Sequence, residues 1–184
     1  MDAPGDDDAA LMLAFAAGDA AAFESLYARH RTTLYRFILR RTGDRQRTDD
    51  LFQEVWSRVI ASRARYQPGA KFSTWLLQIA HNLVVDSCRR ARPEAGAAET
   101  EQVLANLAAP EQQRPEHVLS EFEQRRRLQR ALEELPDEQR TVFVLRMEQA
   151  LGLAEIAAIT GAGRETVKSR LRYALHAIRQ HLSE

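Results

Sequence analysis

Apolar residues recur at helical spacing along most of the chain, and no segment alternates apolar and polar positions as a half-buried strand would. Phe23, Leu26, Tyr27, Leu34, Phe37 and Ile38 follow steps of three, four and seven, and Gly43 closes that stretch. A second helix is expected from about Thr48 to Ala64, where Leu51, Phe52, Val55, Trp56, Val59 and Ile60 make a broad apolar face. Gln67-Pro68-Gly69 breaks the chain after it. A third is expected from about Lys71 to Arg90, with Phe72, Leu76, Ile79 and Leu83 on one stripe.

From Pro93 to Pro115 the chain is Ala, Glu, Gln and Pro with few large apolar residues, so it is expected as a linker, with room for a short helix around Val103–Leu107. Helical periodicity returns near His117, carried by Val118, Phe122, Leu128, Leu132 and Leu135. Pro136 followed by Asp137 and Glu138 suits a helix start, and the run TVFVLRM after it is apolar on most sides and belongs in a core. Gly152 sets off a short helix, Leu153–Thr160. The expected fold is all-α, with two small helical domains. Its divisions are a tail and short helix at 1–19, a first domain at 20–92, an acidic linker at 93–116 and a second domain at 117–184.

The segment LAEIAAITGAGRETVKSRLRYALHAIR carries the most chemistry. Ile156, Ala157 and Ile159 form the inner face of the short helix, Gly161-Ala162-Gly163 makes a tight turn, and Val167, Leu171, Ala174, Ile178 and Leu182 stripe a longer helix. That is a helix-turn-helix. With Val167 at zero on the helical wheel, Glu165, Lys168, Ser169, Arg172 and His176 fall roughly 100–200° away, on the face a recognition helix offers to the major groove. Arg and Lys there can read guanine, Ser169 and Thr166 can meet phosphate or base edges, and Glu165 either accepts from cytosine or favours the helix N-terminus. The plainer alternative is an αα-hairpin with a solvated basic face.

Charge changes the picture only when resolved along the chain. Lys+Arg and Asp+Glu both total 26, a formal net charge of zero. Residues 1–92 hold 14 basic against 11 acidic, 93–116 hold 1 against 5, and 117–184 hold 11 against 10. Within 164–182, Arg164, Lys168, Arg170, Arg172 and Arg179 face only Glu165. A phosphate backbone responds to that local field, not to the total. No run of eighteen apolar residues occurs, and MDAPGDDD has no basic stretch leading into an apolar core, so neither a membrane span nor a secretory signal is expected and a cytoplasmic protein is the simplest reading. The single Cys88 excludes a disulfide framework and a CxxC metal site; a buried inert thiol or a redox sensor both remain open for it.

Two further segments combine polar groups with aromatics. In YQPGAKFSTWLLQIAHNLVVDSCRR a Pro-Gly loop leads into a helix bearing Lys71, Phe72, Trp75, Gln78, His81, Asn82, Arg89 and Arg90. Rings beside cations suit unstacked bases, although Phe72 and Trp75 equally suit a core. In TDDLFQEVW, Asp49, Asp50, Gln53 and Glu54 form a polar, acidic face; Thr48 as an N-cap accounts for the two aspartates but not for Glu54. Enzymatic chemistry finds no support. The five histidines show no HExxH spacing, no glycine-rich phosphate loop appears, and Ser73, His81 and Asp86 fail as a triad because eight helical residues span about 12 Å. No cofactor or metal site is expected.

Taken in order, DDLFQEVW, FSTWLLQIAHNLVVD and LAEIAAITGAGRETVKSRL resemble the bacterial extracytoplasmic-function (ECF) sigma factors, over about residues 20–92 and 117–182. The resemblance implies a subunit that recruits core RNA polymerase to specific promoters and promotes melting. The first domain would bind polymerase and the −10 element, and the second the −35 element and the polymerase flap. Carried over, Asp49, Asp50, Gln53, Glu54 and Trp56 fall in the polymerase-docking segment. Tyr66 to Lys71 match the loop that holds a flipped base, and Phe72, Ser73, Trp75, Gln78, His81, Asn82, Arg89 and Arg90 belong to the −10 and melting segment. Arg164, Glu165, Thr166, Lys168, Ser169, Arg170, Arg172 and Tyr173 match the −35 reader. The linker would lie in the active-site and RNA-exit path. Many relatives are held inactive by an anti-sigma protein that covers both domains, so such a partner is implied, with no membrane insertion. Two departures stand out. Family members often have glycine where Glu165 stands and arginine where Tyr173 and Leu175 stand, which implies fewer phosphate contacts at the helix end. A helix-turn-helix regulator that binds DNA without polymerase is the alternative; it leaves the first domain without a role.

Overall fold

The computed structural model describes residues 6–91 and 126–183, and every regular element among them is helical. The expected linker, its short helix and the start of the second domain at His117 to Phe122 lie outside the described residues. The elements are α1 (Asp6–Ala16), α2 (Ala20–Thr42), α3 (Arg45–Ser62) with a 3₁₀ turn at Arg63–Arg65, α4 (Phe72–Ala91), α5 (126–134), α6 (Asp137–Met147), α7 (Leu153–Thr160) and α8 (Arg164–Ser183). They fall into two units, α1 to α4 in the first and α5, α6, α8 and the opening of α7 in the second.

In the first unit the helix ends are set by local chemistry. Asp19 stands extended before α2 and its carboxylate accepts from the Ala21 and Ala22 N–H groups at 2.9 and 3.3 Å. Gly43 ends the helix at φ 65°, its N–H donating to the Leu39 carbonyl, a left-handed conformation that glycine adopts without the Cβ penalty. Asp44, not Thr48, caps α3: its carboxylate accepts from Arg47 N–H at 3.1 Å. The helix therefore starts at Arg45, earlier than expected. Thr48 is buried inside it, its hydroxyl donating to the Asp44 carbonyl at 2.6 Å and sharing a hydrogen bond with the Thr42 hydroxyl at 2.7 Å.

The apolar faces of α2, α3 and α4 meet as their periodicity predicts. Leu26, Phe37, Ile38, Val55, Val59, Phe72 and Val84 lose nearly all contact with solvent. Burying such a side chain contributes about 1.5–3 kcal/mol each against leaving it exposed. α1 packs on α2 as part of this unit, with Met12 fully buried.

The second unit centres on Ala131, Leu132, Leu135, Phe143, Ala174 and Ile178, where α5, α6 and α8 meet. Pro136 precedes α6, whose residues Thr141 to Leu145 are all buried. Arg140 turns back so that its Nη2 donates to the carbonyls of Glu133 and Leu135 at 2.8 and 3.1 Å, closing the end of the preceding helix. Glu155 accepts from the Gly152 N–H at 2.8 Å and so caps the start of α7. Gly161, at φ 68°, makes the turn into α8. On the apolar stripe of α8, Val167, Ala174 and Ile178 are buried, whereas Leu182, expected on the same stripe, is exposed.

Candidate nucleic-acid interface

On α3 the side opposite the apolar face is acidic and open to solvent. Asp49, Asp50, Gln53 and Glu54 are all exposed. Because the helix begins at Arg45, the two aspartates lie past its first turn, where the helix dipole has largely decayed, so favourable capping does not explain them. Asp49 accepts a hydrogen bond from the Tyr35 hydroxyl at 2.8 Å. Partial burial, and then this carboxylate, push the Tyr35 phenol above its usual value. Glu54 pairs with Arg58 one turn on, at 3.0 Å. Trp56 sits elsewhere. It is buried, edge-on to Phe23 at 5.7 Å and tilted against Tyr27 at 5.0 Å, and offers a partner no surface in this conformation. An apolar ring on the core stripe goes to the core; the polar face beside it is what stays available.

The second feature is the loop from Tyr66 to Lys71 and the helix it enters. Gln67, Pro68, Gly69, Ala70 and Lys71 are exposed, and the Lys71 carbonyl begins α4 by accepting from Thr74 and Trp75 N–H at 3.0 and 3.2 Å. Tyr66 and Phe72, at the two ends of the loop, are both buried, with ring centroids 6.4 Å apart. Trp75 lies against both, 5.0 Å from Tyr66 and 5.8 Å from Phe72, and stays half-exposed. Phe72 is fully enclosed and so acts as core, whereas Trp75 keeps a surface. Lys71, Trp75, Gln78, Asn82 and Arg89 follow helical offsets of four, seven, eleven and eighteen and share one face. That stripe runs about 27 Å. His81 and Arg90 flank it, and Ser73 is half-buried on the other side. Burial, and then the nearby Asp8 carboxylate, raise the Tyr66 phenol above its usual value.

The third feature is α8. Arg164, Glu165, Thr166, Lys168, Arg172 and Tyr173 are exposed, and Ser169 is half-buried. Lys168 lies 3.9 Å from Glu165 one turn back, and the Arg172 guanidinium sits over the Tyr173 ring at 5.2 Å. Arg170, which the resemblance sets among the −35 residues, does not share that exposed face. It is half-buried and its Nη2 binds Glu138 at the start of α6 at 2.6 Å, tying α8 to its own domain.

Some partners gave no local signal in the sequence. Tyr35 meets Asp49 across fourteen positions, and Asp8 meets Arg29 and His30 across twenty-one and twenty-two. Cys88 is half-buried. No cluster of side chains suited to a metal occurs among the described residues. None of the helices among them is long and apolar enough to cross a membrane.

These features define a protein whose described residues form two helical units, the second ending in α8, a helix with an exposed basic face. Sigma-70 region 2 matches residues 26–94, and sigma-70 region 4 matches residues 131–180. The chain is 34% identical over 175 residues to the ECF RNA polymerase sigma factor SigL of Mycobacterium tuberculosis, covering 92% of this chain and 93% of that one. It is 32% identical over 177 residues to SigW of Bacillus subtilis, covering 91% and 92%. Among solved structures it is similar to CnrH, described in complex with the cytosolic domain of CnrY, with a TM-score of 0.71 at 21% identity over 96% of this chain and 97% of that one. It is also similar to RpoE of Bartonella quintana, described in complex with the anti-sigma factor NepR, with a TM-score of 0.67 at 20% identity over 88% and 96%. At those identities the two structures speak for the fold alone. The chain belongs to the ECF family of RNA polymerase sigma factors.

Proposed function

We propose that this sigma factor works by dividing binding among three surfaces and performs no catalysis of its own. The acidic face of α3, with Asp49, Asp50, Gln53 and Glu54, docks on core polymerase. The 66–71 loop with Trp75 and the Gln78–Asn82–Arg89 stripe of α4 receives the unpaired −10 strand. The exposed face of α8, with Arg164, Lys168 and Arg172, reads the −35 element. Residues 20–92, joined by α1, and residues 117–184 serve as the two working domains, with 93–116 as the tether.

The observation that carries this reading is the exposure of Lys168 and Arg172 on α8 in a chain that also carries a region 2 domain. A helix-turn-helix regulator acting without polymerase would leave that first domain idle. Melting a promoter costs a few kcal/mol of stacking per base, which capture of the unpaired bases offsets. Tethering both domains to polymerase raises their effective concentration at the two elements, so a chain of zero net charge needs little affinity for DNA when alone. The reading places the protein in the cytoplasm, with an anti-sigma protein as its off-switch. In vitro transcription with core polymerase over a randomised promoter library tests it. Initiation from a defined subset of promoters is expected, and initiation no different from that of core polymerase alone would overturn the assignment.

A further inference from the structure

Asp8 is a carboxylate on α1 with only 6% of its surface exposed. It accepts hydrogen bonds from Arg29 Nη1 and from His30 Nε2, each at 2.8 Å. A buried charge of this kind persists only when paired, and here both partners stand on α2. The second face of the His30 ring is used as well: it lies against Phe72, centroids 5.1 Å apart and tilted by 56°. Phe72 is the fully buried first residue of α4, where the exposed loop ends, and it touches Tyr66, where the loop begins. An unbroken series of contacts thus runs from α1 through His30 to both ends of the 66–71 loop. Burial first, and then the nearby Asp8 carboxylate, hold the Tyr66 phenol above its usual value, in keeping with these contacts. The region 2 match starts at residue 26, so Asp8 lies outside it.

We propose that His30, oriented by Asp8, is a positioning residue: it buttresses Phe72 so that the Tyr66–Lys71 loop is held open in the shape that takes up an unpaired promoter base. The inference rests on the reading of that loop as the site of base capture. His30 itself does not touch DNA. Its Nε2 hydrogen points at a carboxylate, which fixes the ring plane, and the ring plane fixes where Phe72 and the loop's two ends can sit. Loss of the hydrogen bond leaves the core in place but lets the ring turn, so the loop samples other shapes and captures a base less often.

The test uses holoenzyme assembled from core polymerase and the full chain. The probe is a fluorescent single strand bearing the non-template −10 sequence of a promoter selected from a randomised library. His30→Ala and Asp8→Asn are each expected to weaken capture of that strand by about tenfold. Affinity for core polymerase and for a −35 duplex should stay within about twofold, the effect of a substitution away from those contacts. Asp8→Glu, whose carboxylate can still accept from the intact His30 ring, should recover most of the loss. A purely structural role would instead lower all three affinities together with Tm, and that result overturns the proposal. So does wild-type strand capture in both His30→Ala and Asp8→Asn. If His30→Ala fails to fold, the comparison of Asp8→Asn with Asp8→Glu decides by the same criteria. If wild-type holoenzyme takes up no −10 strand, or if Trp75→Ala leaves uptake unchanged, the assignment of the loop falls instead.

Discussion

Arg172→Ala is the sharpest test of the second domain. Arg164, Lys168 and Arg172 stand four residues apart and are exposed, so their side chains leave α8 at steps of about 6 Å along one side. Arg172 is not idle in the free chain. Its guanidinium rests over the Tyr173 ring at 5.2 Å, an exposed cation–π contact worth about 0.5–1 kcal/mol. A bidentate contact to guanine discriminates by about 1–3 kcal/mol. If the guanidinium must leave the ring to reach the base, the net loss on truncation is about 1–2 kcal/mol, or roughly 5- to 30-fold in affinity. If Arg172 meets a phosphate instead, the loss is uniform across sequences and the slope of log affinity against log salt shrinks by about 0.9. Anisotropy titrations of holoenzyme on two duplexes, one with the matched −35 element and one with it scrambled, at three salt concentrations separate the two cases. Loss on the matched duplex alone means base reading, and equal loss with a shallower slope means backbone contact. Affinities within twofold on both duplexes with an unchanged slope would refute the placement of α8 in the groove.

Other consequences follow from the first domain. Asp50→Ala combined with Glu54→Ala should reduce core polymerase capture by at least about tenfold in a competition assay, since charges desolvated at an interface carry about 2–5 kcal/mol. It should leave Tm almost unchanged, because both groups are exposed and the Glu54–Arg58 pair contributes only about 0.3–0.5 kcal/mol. Asp44→Ala removes the cap of α3 and should cost about 1 kcal/mol, lowering the Tm of the first domain's transition by roughly 4–8 °C in calorimetry of the full chain. Tyr35 and Tyr66 both have phenols raised above the ordinary value of about 10. In the unfolded chain they ionise first, so the stability they contribute is fully present below about pH 10 and is lost as pH climbs through their folded values. Tm should therefore fall above that pH, and Tyr35→Phe should make the fall shallower; an identical alkaline profile would contradict the burial and Asp49 contact ascribed to this phenol.

Helical periodicity was enough to place α4 and α7 to within a residue at each end and to foresee α2, α6 and α8 without fixing both their ends, because each carries an apolar stripe and a recognisable break. It failed at the start of α3, where the sequence reading offers only Thr48 as a cap; Asp44, four residues earlier, caps the helix because its carboxylate reaches the Arg47 N–H. The candidate site was legible wherever polar residues share a face, as on α3 and α8. It was not legible where aromatic residues serve the core. Trp56 and Phe72 lie in family motifs, yet both are enclosed. Arg170 carried a warning: on the wheel it falls about 60° from Val167, on the flank of the buried stripe, where a cation meets its own domain first. The Asp8–His30 contact had none, since nothing in a local pattern announces a partner twenty-two residues away.

The turn into α8 has one more implication. A Cβ added to Gly161 would find no atom within 4 Å, so the site is roomy, and only its φ of 68° disfavours a side chain. Mirror-image geometry would suit it: a semisynthetic chain with D-alanine there should keep the bend and lose disorder from its denatured ensemble, while L-alanine should unfold more readily by about 1–2 kcal/mol. The turn at Gly161 thus rests on one backbone torsion that glycine, or a residue of the opposite hand, adopts without strain.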